Sequence, residues 1–121
     1  MDLKNYFDLK RTRLDDIRDY GGEVIILFLK EGVSLTEAVE VLSWEIAKFL
    51  QNETGKGYSP SKEPGMGIEW IVREPGHETY GLKVVGEGNR VIVKRVAILE
   101  DETFMTRYVR YLHRLVEKEE T

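Results

Sequence analysis

Few side chains in this sequence have types and spacings that suggest chemistry. The 121 residues contain no cysteine, which excludes thiolate zinc sites, cysteine nucleophiles and iron–sulfur clusters. The two histidines, His77 and His113, are well separated, and neither has a second imidazole at the spacing of a metal site. We interpret His77 as an exposed turn residue. The alternative is that His77 and Glu78 form half of an acid–base pair. His113 is interpreted as a surface residue of the last helix.

An acidic cluster near the start of the chain offers oxygen ligands of the kind that Mg²⁺ and Ca²⁺ prefer: Asp15, Asp16 and Asp19. Because Arg13 and Arg18 flank these carboxylates, we predict a solvent-exposed, ion-paired face instead of a cation site. No serine stands in a recognisable motif with a histidine and an acid. We therefore expect no cofactor and no metal, and we favour a chain that is not an enzyme.

Three arginines near the end of the chain, Arg107, Arg110 and Arg114, have the spacing of one helical stripe. They belong to residues 83–114, where seven basic and four acidic residues give +3, within a chain whose net charge is −4. Such a stripe can contact phosphates. The alternatives are an ion-paired helix flank or a complement to the acidic half of a second copy, residues 1–52. Nucleic-acid binding is therefore the second function considered, and the negative net charge predicts that it is weak.

A tryptophan stands on the wrong side of a predicted helix. Ser34 and Glu37 form a capping box, and the helix after them runs to about Gln51. Its apolar stripe faces the core, whereas Trp44 points about 180° away at 100° per residue. Val41 and Lys48 lie on that same side. Because tryptophan is enriched at interface centres, we predict a homodimer, or another protein, bound at Val41, Trp44 and Lys48. The alternatives are cover within the chain and an exposed tryptophan.

The segment at about 52–67 is rich in glycine, proline and serine and has almost nothing to bury. We interpret it as a flexible loop, since long loops in compact domains are functional or disordered. Its best contact residues are Lys56, Tyr58 and Lys62. An enzyme site beneath this loop is the third function considered.

The elements that must position these residues follow from periodicity. Apolar residues at spacings of three and four predict a first helix over 3–17, and the apolar run in 23–30 predicts a buried strand or a short helix. After the loop, alternation and turn residues predict three strands, at 68–74, 79–85 and 90–99, before a last helix that opens at 101–103. The expected order is α-β-α-loop-β-β-β-α.

The predicted fold class is therefore α+β. One domain over 1–121 contains a small, mainly antiparallel sheet, made of a three-strand meander plus one further strand, packed with helices. The longest apolar run, 24–29, is too short to span a membrane, and no secretory signal is visible, so we expect no membrane partner and a cytoplasmic location. Few amides and many charges suggest a thermophile. The leading function is a non-enzymatic, self-associating interaction module.

Overall fold

A computed structural model of the chain describes residues 2–20, 22–65, 67–76, 81–96 and 103–120. The predicted pair His77–Glu78, the end of the third predicted strand at 97–99 and the predicted helix start at 101–102 lie outside those ranges. The helices are α1, Leu35–Thr54, and α2, Phe104–Glu120. The strands are β1 Arg13–Ile17, β2 Gly22–Phe28, β3 Ser59–Lys62, β4 Ile68–Arg73, β5 Gly81–Glu87 and β6 Arg90–Arg95.

The described strands form one antiparallel sheet of six, in the order β1-β2-β6-β5-β4-β3. Strands β3 to β6 follow one another as a meander, and β2 joins the meander through β6. The α+β class is therefore right, but the predicted sheet and element order are wrong. The sheet has two strands more than expected, and one predicted helix is missing.

The N-terminal segment is not an α-helix. It contains two 3₁₀ turns, Leu3–Asn5 and Leu9–Arg11, followed by the edge strand β1 and a third 3₁₀ turn, Arg18–Tyr20. Each of the first two turns buries its leading leucine in the core. Because a 3₁₀ turn has three residues, the two turns reproduce the three-to-four spacing that predicted a helix.

The predicted loop over 52–67 is also wrong. Helix α1 continues to Thr54 and ends at Gly55, whose φ of 76° allows its amide to donate to the Gln51 carbonyl over 2.8 Å. After it, β3 pairs with β4 along the edge of the sheet. Proline is tolerated at Pro60 because an edge strand needs only one set of ladder hydrogen bonds. No observation tests the mobility of this segment, which stays a prediction.

Both helices pack on one face of the sheet. Alternate residues of β2, Ile25 and Leu27, join the helices in the main core, while Val24, Ile26 and Phe28 form a smaller cluster on the opposite face. Of the two structures left open for 23–30, the chain adopts the strand. No helix in the described ranges is long and apolar enough to cross a membrane.

The glycine at position 86 lets α1 approach the sheet closely. A Cβ atom at Gly86 would lie 2.8 Å from Val39 Cγ2 and 3.0 Å from Leu35 Cγ, both on α1. Real Cβ atoms almost never come this close to another heavy atom, so a side chain here would push the helix away. This contact fixes the depth at which α1 lies and therefore how far its outer face stands from the sheet.

Candidate interaction surface

Two side-chain hydrogen bonds hold the first turn of α1 in place. The Ser34 hydroxyl accepts a hydrogen bond from the Glu37 amide over 3.3 Å, as the capping box predicts. The Glu37 carboxylate also accepts from the Tyr6 hydroxyl over 3.0 Å, and this hydrogen bond is the main cause that raises the pKa of Tyr6. These contacts hold the N-terminal segment beside the outer face of α1.

The outer face of α1 exposes a tryptophan. Trp44 keeps 56% of its surface accessible, and Glu40 and Lys48 beside it are exposed as well. More than half of this residue is therefore left uncovered by the rest of the described chain. The predicted direction of Trp44 is therefore confirmed, and cover within the described chain, one of the alternatives, is not found.

Val41 does not share that exposure. It retains only 6% of its surface and belongs to the main core, so its place in the predicted exposed island is wrong. It instead lines a depression of about 320 Å³ beside Trp44. The other lining residues are Glu37, Glu40 and Glu45. An indole and three carboxylates around an apolar valine make a surface suited to a cation with a flat or apolar body.

Helix α2 begins beside the C-terminal end of α1, and the two helices contact each other through side chains. Glu53, near the end of α1, pairs with Arg107, near the start of α2, over 2.6 Å. One turn earlier on α1, the Phe49 ring contacts three aromatic rings of α2, with centroids 6.0 Å from Phe104, 5.0 Å from Tyr108 and 4.8 Å from Tyr111. We call the exposed faces of the two helices together the helical layer.

The predicted arginine stripe divides into one engaged residue and two exposed residues. Arg107 is half-buried and donates to Glu53 and to the Thr103 hydroxyl. Arg110 and Arg114 are exposed, and neither forms an ion pair with any residue that the structure describes. The Arg114 side chain makes one long contact, 3.4 Å, to the Arg110 carbonyl. Two guanidinium groups are thus available on the helical layer.

Three other cations of residues 83–114, Lys83, Arg90 and Lys94, lie apart from this stripe. Lys83 pairs in register with Lys94, which pairs with Val24 of the opposite-face cluster, so both lysines lie on the side of the sheet without helices. Lys83 contacts Glu69 at 3.2 Å, and Arg90 contacts Glu87 at 3.9 Å. The net charge of this part of the sequence therefore does not describe one basic surface.

The predicted loop contacts are likewise separated. Lys56 pairs with Glu74 at 2.5 Å, and Tyr58 is buried in the main core. Lys62 is exposed on the edge strand β3. The three residues therefore do not share one contact surface.

His113 contacts a part of the chain that no local pattern could have indicated. Its Nε2 atom donates to the Thr12 carbonyl over 2.7 Å, across 101 positions of sequence. The imidazole is half-buried, not a plain surface residue as predicted, and it lines a depression of about 370 Å³ with Lys10, Val116 and Glu117.

The acidic cluster does not gather as a metal site. Asp15 pairs with Arg13 at 3.7 Å, as expected for an ion-paired face. Among the described residues, no three histidine, aspartate or glutamate side chains come together in a metal-binding group.

A buried hydroxyl beneath the helical layer has no partner in the described part of the chain. Tyr108 is fully buried, and its hydroxyl forms no hydrogen bond there. Burial raises the pKa of Tyr108 well above its ordinary value of 10.0, with smaller contributions from Tyr111 and Glu45. Sequence reasoning assigned Tyr108 only to the apolar face of a helix, which is where it lies.

Comparison of the chain with models of protein families, with curated proteins and with solved structures gave no match.

Proposed function

We propose that the protein is a non-enzymatic interaction module that self-associates through the helical layer, with Trp44 at the centre of the contact. The exposure of the indole is the observation that carries this proposal. Only one other large hydrophobic side chain in the described ranges, Val96 at 42%, is comparably exposed. Tryptophan in such a position is characteristic of residues that dominate protein interfaces.

The remaining surfaces offer less to a second copy. One sheet edge, β1, exposes Asp15 and Asp16, and the other, β3, contains Pro60 and Lys62, which are features that discourage strand pairing between chains. On the face without helices, the described apolar cluster is already buried, and the guanidinium groups of Arg11 and Arg13 lie over the Phe28 ring. These features favour the helical layer.

The exposed part of Trp44 is large enough to matter. An indole side chain contributes about 150–250 Å², and 56% of it is accessible. Burying that fraction removes about 80–140 Å² from water and stabilises a complex by roughly 2–3.5 kcal/mol at 25 cal/mol per Å². Removing the indole should therefore raise the dimer dissociation constant by about thirtyfold or more.

Sedimentation equilibrium of the parent and of Trp44→Ala tests this proposal. We expect a dimeric parent at ~100 µM, as an interface of standard size requires, and a folded Trp44→Ala that is mainly monomeric. Val96→Ala is the matched control, since it removes the other exposed hydrophobic side chain from the sheet and should leave the assembly unchanged. A parent that is monomeric at that concentration contradicts the proposal.

Weak nucleic-acid binding is the second candidate, and exposed Arg110 and Arg114 support it. Two phosphate contacts predict a log–log salt dependence near −2 and binding no tighter than micromolar at physiological salt. Retention of the parent on heparin at low salt, lost in an Arg110→Gln and Arg114→Gln double variant, would favour this function. The third candidate, an enzyme site under a loop at 52–67, loses its premise because β3 occupies that segment.

A cytoplasmic location and a thermophilic origin are part of the same proposal. The composition, with a third of its residues charged, supports the second of these. Ion pairs such as Arg73–Glu63 at 2.9 Å, between β4 and the residue that follows β3, are of the kind that stabilises proteins at high temperature. A thermal unfolding midpoint below about 65 °C, within the usual mesophilic range, would count against a thermophilic origin.

A further inference from the structure

We infer that the depression beside Trp44 binds the guanidinium group of Arg114 from a second copy of this chain, and that the second copy makes the same contact in return. This inference rests on the proposed self-association and specifies which surfaces meet. The depression is acidic and partly aromatic, and the exposed arginines of α2 are its chemical complement.

Symmetry brings these two surfaces together. Because α2 begins where α1 ends, a two-fold axis that runs along the helices and passes between them places α1 of each copy over α2 of the other. A two-fold operation of this kind is the commonest in soluble oligomers and uses the same patch on both copies. It also preserves the level of each residue along the helix direction.

The levels of the two residues match. The Phe49 ring lies nearest to Tyr111 and Tyr108, with centroids 4.8 Å and 5.0 Å away, so the level of Phe49 falls between these two residues of α2. Trp44 is five residues before Phe49, and at about 1.5 Å per residue it lies about 7.5 Å along α1. Arg114 is three residues after Tyr111 and six after Tyr108, so it lies about 4.5–9 Å along α2, also away from the Glu53–Arg107 pair. Arg114 of the second copy therefore falls near the level of Trp44.

The chemistry of the contact is specific for a guanidinium group. Its planar face can stack on the Trp44 indole, while its edge donates two hydrogen bonds to one carboxylate. Glu40 is exposed one turn from Trp44 and has no ion-pair partner among the described residues. Arg114 is likewise exposed and has no ion-pair partner among the described residues. Association would thus pair two charges that the single chain leaves to solvent.

Charge reversal tests the pairing. Glu40→Lys and Arg114→Glu each place like charges in both halves of a symmetric dimer, so each variant alone should raise the dissociation constant at least tenfold. An equimolar mixture of the two should form a heterodimer at concentrations at which each alone is monomeric, because one half of the contact is native and the other is reversed in sign. Arg18→Glu, on the third 3₁₀ turn, has the same change in charge as Arg114→Glu and should dimerise like the parent.

The results separate this inference from the proposed function. A parent that is monomeric contradicts both the proposed function and this inference. If Trp44→Ala dissociates the dimer while Glu40→Lys and Arg114→Glu leave it intact, self-association stands and the Arg114 contact is wrong. Two folded variants that stay monomeric when mixed also contradict the contact. If a reversed variant does not fold, the neutral variants Glu40→Gln and Arg114→Gln replace it and should each weaken the parent dimer about threefold or more.

Discussion

Replacing Tyr108 with phenylalanine is expected to stabilise the protein. The hydroxyl is buried without a partner among the described residues, so folding removes it from water without compensation. The ring itself stays well packed, with centroids 5.0 Å from Phe49 and 5.5 Å from Phe104, and phenylalanine keeps those contacts. An unsatisfied buried hydroxyl costs about 1–3 kcal/mol. The substitution removes this cost but leaves the small volume of the hydroxyl empty, so the expected net gain is about 1 kcal/mol.

Urea unfolding followed by circular dichroism at one fixed protein concentration measures this change. In thermal unfolding, the same gain of about 1 kcal/mol corresponds to a rise of about 3–5 °C in the midpoint temperature for a domain of this size. Tyr111→Phe is the matched control, since Tyr111 belongs to the same aromatic cluster but is only half-buried, and it should change stability by less than about 0.5 kcal/mol.

The difference in stability between the parent and Tyr108→Phe should be larger at high pH. In the unfolded chain Tyr108 ionises near pH 10, whereas burial keeps it protonated in the folded chain at higher pH. Above pH 10 the unfolded state therefore binds fewer protons, and the stability of the parent falls as pH rises. Tyr108→Phe escapes this loss, so its advantage should grow above pH 10, by up to about 1.4 kcal/mol per pH unit. A Tyr108→Phe variant that is less stable than the parent by 1 kcal/mol at neutral pH would refute the reasoning, because the hydroxyl would then have a partner.

Three further changes test other parts of the structure. Gly81→Ala would bring a Cβ within 2.1 Å of the Val72 carbonyl oxygen, so it should cost about 3 kcal/mol or more in chemical unfolding, whereas Gly57→Ala meets no atom within 4 Å and should be nearly neutral. Lys48→Glu should tighten the dimer severalfold in sedimentation, since Lys48 lies on the helical layer where the arginines of a second copy would approach; weaker association would contradict that arrangement. Trypsin should cut first after Lys56, between α1 and β3, and mass spectrometry that finds a first cut inside a helix would show that this connection is protected.

Local sequence signals identified the features that depend on neighbours in the chain. The capping box placed the start of α1, and the helical period placed Trp44 on its outer side. The turn residues and alternation located the strands that became β4, β5 and β6. Each of these features is decided within one helical turn or one hairpin, where spacing alone is informative.

The failures have a different origin. Strand β3, with the sequence Ser-Pro-Ser-Lys, has little β propensity and exists because β4 offers it a ladder of hydrogen bonds. Strand β1 depends in the same way on β2. The burial of Val41 and the contact of His113 with Thr12 are set by segments far away in sequence. Such tertiary effects override propensity, and a single sequence contains no signal for them.

The position of β2 between β1 and β6 has a consequence for how the chain is made. Its apolar run completes its pairing only with β6, which begins 62 residues after β2 ends. At the usual pace of synthesis, about 5–20 residues per second, the ribosome needs roughly 3–12 s to add that length. Throughout this interval one edge of the most apolar strand of the chain remains open, with only β1 available as a neighbour. The nascent chain thus passes through a stage at which a chaperone can bind this strand, although the finished fold buries residues 24–28 of it.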